Sequence, residues 1–316
     1  MAYFKLVTMK ILFLLLVLMH FSCSENETQV TEPEPNSMYF PDIDSQEWES
    51  SSLEELDWNS DAIDPLYEFL QQNNTRAFIV LKEGKIVLEN YWGTTIQNTS
   101  EFDKNSNWYW ASAGKTLTAF LIGIAQENNV LSIEDSSSTY LGSGWTSLED
   151  DQERLIKIKH QLTMTTGLNY LVDDLNCTEP ECLTYKTPPG TQWFYHNATY
   201  SLLGDIIENA SGTSYNLFTD QKIEMKIGMN GSWIQSDYNK IYWSTARDMA
   251  RFGLLVLNKG VWDREVILND STYFSDMVTT SQDLNPSYGY LWWLNGKETL
   301  IPPGFTSALA YPLASN

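Results

Sequence analysis

The chain is 316 residues long and carries 41 acidic against 19 basic side chains, a net charge of −22 at pH 7. So acidic a surface repels phosphate backbones, and no Lys/Arg-rich run interrupts it, which excludes nucleic acid as a partner. With 42% hydrophobic and 13% aromatic residues, the chain is too apolar to be disordered and long enough for one large domain or two lobes.

Lys5 and Lys10 precede an apolar run at 11–19. That run is shorter than the about 20 residues needed to cross a bilayer, and it suits the hydrophobic part of a signal peptide, so residues 1–22 read as a removed leader. Phe21-Ser22-Cys23 resembles a bacterial lipoprotein cleavage site, with small Ser22 before the cysteine and His20 where a leucine is usual. The resemblance implies a lipid on Cys23 that anchors the protein in the outer membrane or at the cell surface; the competing reading is an ordinary secretory leader and a periplasmic protein. Residues 23–60 are acidic, Ser-rich and broken by Pro33, Pro35 and Pro41, and read as a tether, leaving 61–316 as the folded domain.

With Cys23 assigned to lipid, Cys177 and Cys182 remain as an even pair in a turn-rich segment. Outside the cytoplasm they are expected to form a disulfide. Zinc is the alternative and lacks ligands, because His20 lies in the leader and His160 and His196 each stand alone. No metal or cofactor is expected.

Residues 77–81 and 86–92 are apolar and β-branched around Lys82-Glu83-Gly84-Lys85, which predicts a β-hairpin. Residues 115–128 are apolar on nearly every side, as in a helix buried inside a fold. Further helices are predicted at about 198–209, with Gly212 beyond the end, and at 245–258, opened by a capping-box variant of Thr245 and Asp248 and stopped at Gly260. Little strand signal follows until the aromatic run 288–293, and no internal repeat is present. The order predicts an α+β fold rather than alternating βαβ units.

Ser112-Ala113-Gly114-Lys115 opens the buried helix, and a spacing of three puts hydroxyl and amine on one face. A lysine in the first turn faces the positive end of the helix dipole and a desolvating wall, and both favour its neutral form. Such an amine can take the serine proton and release an alkoxide that acylates, with the helix N-terminus and the serine N–H holding the oxyanion. A Ser-x-x-Lys arises by chance about once in a few hundred residues. Its place at the head of an apolar helix, behind Asn107-Trp108-Tyr109-Trp110, sets this one apart. Tyr195-His196-Asn197 is the second constellation, able to project a phenol and an amide from one side of an extended loop. A tyrosine titrates near 10, too high for a base at neutral pH, so a cation must lower it, and Lys115 is the obvious one. Trp108, Trp110 and Trp193 lie beside these residues in sequence and are candidates to shape the pocket.

Together the two motifs resemble those of the serine β-lactamase and penicillin-binding-protein superfamily, and within it the class C β-lactamases, D,D-carboxypeptidases and esterases. The resemblance runs from about Ala77 to Gly260. It includes the segment from Ile158 to Gly167, Pro189-Gly190 and the segment from Ser244 to Gly253. It implies an antiparallel sheet flanked by helices with a mainly helical region beside it. It also implies Ser112 as nucleophile, Lys115 and Tyr195 as general base and proton relay, and Asn197 as a substrate-orienting group. His160 and His196 match no catalytic role and read as structural. The implied substrate is a small amide or ester: a β-lactam, a D-amino-acid peptide, a short ester or an aminohexanoate oligomer.

One family element has no counterpart. After Tyr195 there is no Lys-Ser/Thr-Gly and no His-x-Gly. In the family that strand, its neighbours and a final helix follow, so the chain reads as the shortened product of a longer gene; the competing explanation is a site closed another way. Two functions are carried forward: an exported serine hydrolase, and a non-catalytic surface lipoprotein on the same scaffold that binds a peptidoglycan peptide or a protein. No Gly-x-Ser-x-Gly elbow and no phosphate loop offers a different chemistry.

Overall fold

The computed structural model describes residues 38–307. The expected leader, Cys23 and the first part of the expected tether lie outside the described residues. Helix α1 (Ile63–Gln72) leads into strands β1 (Ala77–Lys82) and β2 (Lys85–Tyr91), which pair antiparallel from Ala77↔Tyr91 to Lys82↔Lys85. The two-residue turn has positive φ at both Glu83 (52°) and Gly84 (82°), the geometry that matches strand twist. Gly84 is obligatory for a second reason: a Cβ there would stand 1.8 Å from the Tyr39 carbonyl oxygen.

Residues 38–60 differ from the tether expected of them. Tyr39 N–H donates to Glu83 O at 2.9 Å, the Trp48 indole to Gly84 O at 2.8 Å, and Ser50 bridges Ile86 in parallel. Arg251, 3% exposed, donates to the carbonyls of Ile227, Asp42 and Ser45 and lies over the Trp48 and Trp262 rings. Arg247 grips Glu89 with two 2.7 Å hydrogen bonds and the Gln46 carbonyl with a third. Acidic, Pro-broken composition marked this stretch as unstructured, but its carbonyls satisfy two arginines of a distant helix, which composition does not reveal.

Strand β3 (Trp108–Tyr109) precedes helix α2 (Gly114–Glu127), whose residues Leu117 and Ala119–Ile122 are fully buried. Each large apolar side chain there contributes about 1.5–3 kcal/mol. Gly123 lets Tyr273 approach: a Cβ would meet its ring at 2.4 Å, and the Tyr273 hydroxyl donates to Ala119 O at 2.7 Å. After two short helical turns at Ser138–Leu141 and Asp150–Glu153 come helix α3 (Ile158–Leu162) and then α4 (Asn197–Ser211), which packs Leu203, Ile206 and Ile207 into the same core and ends on Gly212 with φ 69°. Segment 215–227 is helical and carries a π turn at Asp220–Glu224.

A second hairpin lies where the sequence shows little strand signal. β4 (Gly231–Ser236) and β5 (Asn239–Ser244) form a hairpin, and β3 joins it, giving the order β3-β5-β4. Its turn, Asp237-Tyr238, contains no glycine, with Asp237 itself at φ 53°, and four of the six residues of β4 are exposed, so neither the turn signal nor alternation was strong. Helix α5 (Ala246–Leu257) has the Thr245–Asp248 capping box, with Thr245 Oγ1 accepting from Asp248 N–H and Asp248 Oδ2 accepting from Thr245 N–H. The short pair β6 (Val261–Trp262) and β7 (Glu265–Val266) and helix α6 (Ser271–Met277) follow. The aromatic run 288–293 is not a strand. Tyr288 and Trp293 bridge across a bend in which Gly289 N–H donates to Trp292 O and Leu291 takes φ 61°. The architecture is α+β, with every strand pair antiparallel and helices packed around them. Among the described residues no helix is long and apolar enough to cross a membrane.

Candidate active site

The turn that carries Ser112 is set by Trp110. Its N–H donates to Tyr242 O at 2.8 Å, its indole donates to Ser244 Oγ at 2.8 Å, and its ring meets Tyr242 edge-on at 5.0 Å. The chain then bends through Ala111 at φ 46°, a left-handed conformation that costs an alanine about 1 kcal/mol and persists because Trp110 is pinned. A single 3-10 turn, Ala111–Ala113, leaves Ser112 exposed at the mouth of α2.

Lys115 lies one turn on, only 5% exposed, and its Nζ donates to Ser112 Oγ at 3.3 Å. Its ammonium stands 4.2 Å from the centre of the Tyr200 ring and 5.1 Å from that of Tyr195. Burial alone pushes its pKa down from 10.5 to about 8, with no carboxylate to counter it. A lysine in this state supplies a neutral amine near physiological pH.

Tyr195 is half-buried. It stacks on Trp293 at 5.7 Å and 23° and meets Tyr288 edge-on, while the buried Trp193 touches both Tyr288 and Trp293. The expectation that Lys115 would depress Tyr195 is not met. Burial raises the Tyr195 pKa, and only a hydrogen bond with the Ser112 side chain opposes the rise. The physical reason is placement: the Lys115 amine lies over the ring faces of Tyr195 and Tyr200. Tyr195 is thus a neutral phenol within reach of Ser112, suited to donate and pass a proton rather than to act as the resting base.

Asn197 opens α4. Its Nδ2 donates to Asn176 Oδ1 at 3.1 Å, and its own Oδ1 is buried without a partner. Ser112, Lys115 and Tyr195 are therefore in mutual contact, whereas the contact seen for Asn197 is with the loop at 176. Cys177 and Cys182 are joined by a disulfide in that loop. His196, 3% exposed, and His160 are both held near pKa 4 by burial and are neutral at pH 7; His160 Nδ1 accepts from Lys157 N–H at 3.0 Å. Of the three flanking tryptophans, Trp110 and Trp193 are buried supports. Trp108 and Trp110 together line a cavity of about 270 Å³ with Arg76, Ile79, Ser244 and Met249.

Two residues escaped the sequence reading. Tyr200 floors the lysine, and its hydroxyl accepts from Thr118 Oγ1 at 3.4 Å. It sits one turn into the helix that follows the tyrosine motif, three residues beyond Asn197. Asn176 was hidden in a turn, and nothing in its local sequence points toward Asn197.

Known proteins share this arrangement of elements. A protein of Bacillus subtilis strain 168, provisionally named a penicillin-binding protein, is 27% identical over 174 residues, 51% of this chain and 42% of the relative. A β-lactamase of Pseudomonas fluorescens is 25% identical over 182 residues, 54% of this chain and 50% of the relative. The chain thus spans half or less of the length of these two curated relatives. A solved structure from Bacillus anthracis, provisionally named a 6-aminohexanoate-dimer hydrolase, is similar in fold with a TM-score of 0.64 at 23% identity, covering 85% of this chain and 76% of that one. The family model described as Beta-lactamase matches residues 68–311, from within α1 to beyond the last described residue. This chain belongs to the Beta-lactamase family, within the superfamily of serine β-lactamases and penicillin-binding proteins.

Proposed function

We propose that the protein is a serine hydrolase that cleaves a small amide or ester through an acyl-Ser112 intermediate. The observation that carries the reading is the buried Lys115 amine, 3.3 Å from Ser112 Oγ, with its pKa near 8. In its neutral form Lys115 accepts the Ser112 proton as Oγ attacks the substrate carbonyl carbon. The resulting oxyanion is stabilised by the Ser112 N–H and the positive end of α2. Collapse breaks the C–N or C–O bond, and the proton passes through the Tyr195 hydroxyl to the departing nitrogen or oxygen. Water then adds to the acyl carbon by the same route in reverse, releasing the acid and restoring Ser112. The relatives' names span β-lactam and linear-amide hydrolysis, and we place the substrate within that class. The test is labelling with a fluorescent penicillin or a fluorophosphonate. Wild type is expected to label at Ser112 and Ser112→Ala not at all; equal labelling of the two would refute the assignment.

We also propose export, with Cys23 as the lipid-bearing residue. The Cys177–Cys182 disulfide supports an oxidising compartment. Cells expressing the full chain and fed radiolabelled palmitate should yield a labelled protein, and Cys23→Ser should not; label retained in Cys23→Ser sinks the anchor.

A further inference from the structure

A buried carboxyl that the proposed chemistry does not use reaches the Ser112 turn through one aromatic side chain. Glu224, 6% exposed, is the last residue of the π turn Asp220–Glu224. Such turns are rare single-turn distortions of a helix and occur frequently at functional sites. Glu224 Oε1 accepts from the Tyr242 hydroxyl at 2.8 Å, and Oε2 accepts a longer bond from Gly231 N–H at 3.4 Å. Gly231 makes room for the first of these: a Cβ there would stand 2.2 Å from the Tyr242 hydroxyl oxygen.

Tyr242, fully buried, touches the Ser112 turn on both sides. Before the serine, Trp110 N–H donates to Tyr242 O at 2.8 Å, and the two rings meet edge-on at 5.0 Å. After it, a Cβ on Gly114 would lie 3.7 Å from Tyr242 Cβ and 3.4 Å from the Trp233 ring. Trp233 packs on Tyr242 at 5.0 Å and gives its indole N–H to Thr219 Oγ1, one residue before the π turn. The left-handed bend at Ala111 is therefore supported by a ring whose far end is tied to one carboxyl. A ring held by apolar neighbours alone can tilt, whereas a hydroxyl bonded to a buried acceptor fixes its depth and angle. Removing that acceptor strands a buried donor.

We infer that Glu224 is a positioning residue that holds the Ser112 turn in shape through Tyr242. The inference rests on Ser112 as nucleophile and adds a residue outside both motifs. A carboxyl that merely stabilised the fold would change the melting temperature and leave the acylation rate of the folded protein as it is. A loosened turn moves the serine, and a displacement of about 1 Å can cost about a hundredfold in rate.

The test is the rate of fluorophosphonate labelling of the full chain at pH 8, at a temperature where circular dichroism shows each variant folded. Glu224→Met, similar in length and without an oxygen acceptor, is expected to label about tenfold more slowly than wild type. Glu224→Gln, which keeps an acceptor for the Tyr242 hydroxyl, restores the rate to within about twofold. Tyr242→Phe falls by the same factor as Glu224→Met, and the double variant falls no further, where independent effects would multiply to about a hundredfold. An undiminished rate in Glu224→Met, no recovery in Glu224→Gln, or a double variant slowed about a hundredfold overturns the inference. If Glu224→Met does not fold, Tyr242→Phe decides alone, and a rate within about twofold of wild type overturns it. Those outcomes leave Ser112 as nucleophile; wild type that does not label overturns the Ser112 reading, and this one with it.

Discussion

Arginine in place of Lys115 is expected to slow acylation of Ser112 about a thousandfold. A positioned general base contributes about 10²–10⁴ to a rate, and a guanidinium keeps its proton at every accessible pH. Arginine preserves the charge and a donor to Ser112, so the substitution removes the capacity to accept a proton and little else. In wild type the acylation rate should rise with pH through about 8, following the lysine as it becomes neutral. Stopped-flow or gel-based labelling between pH 6 and 9.5 checks both points. A Lys115→Arg variant within tenfold of wild type, or a wild-type rate flat across that range, removes Lys115 from the role of base. Tyr195 contributes no competing inflection in this window, because burial raises its pKa above the ordinary tyrosine value.

The same lysine should weaken the fold. Its pKa falls from 10.5 in the unfolded chain to about 8 in the folded one. Between those values the unfolded chain binds more protons, so stability rises with pH across the window. The penalty is full below about 8 and gone above 10.5. Integrated over the window it amounts to about 3 kcal/mol. Lys115→Met, which keeps an unbranched side chain of similar length, is expected to be more stable than wild type at pH 7 by about 2–3 kcal/mol, with the gain shrinking toward pH 10.5. Urea unfolding at pH 7 and pH 10 measures it, and a Lys115→Met protein less stable than wild type at pH 7 contradicts the account. A buried amine left without a carboxylate titrates near 8 here, and stability is lost in the same act.

What could be read from the residues divides by the range of the forces involved. The first hairpin and helices α2, α4 and α5 were located to within a few residues, because periodicity and capping are written into neighbouring side chains. Ser112 and Lys115 share one helical turn, so their contact was implied by spacing. The second hairpin was not seen, since its turn has no glycine and most of β4 is exposed, so neither turn chemistry nor alternation marks it. The aromatic run 288–293 looked like a strand from its composition, but it folds back to pack Trp293 against Tyr195. The raised pKa of Tyr195 could not be anticipated either, because it depends on which part of the tyrosine faces the lysine. Residues 38–60 were misjudged for a similar reason: composition reports what a segment can bury by itself, and Arg247 and Arg251 reach it from roughly two hundred positions away.

The pinning of Trp110 carries a consequence for the order of events in folding. Its indole bond to Ser244 spans 134 positions in sequence. Helix α2 can form early from local contacts, bringing Ser112 and Lys115 onto one face. The bend at Ala111 that presents Ser112 outward depends on β5, and so must wait for a long loop to close. During synthesis Ser112 emerges from the ribosome long before the strand that orients its turn. The bend therefore forms only once β5 has docked, and a chain stalled before then would contain both motif residues but lack the turn that exposes Ser112.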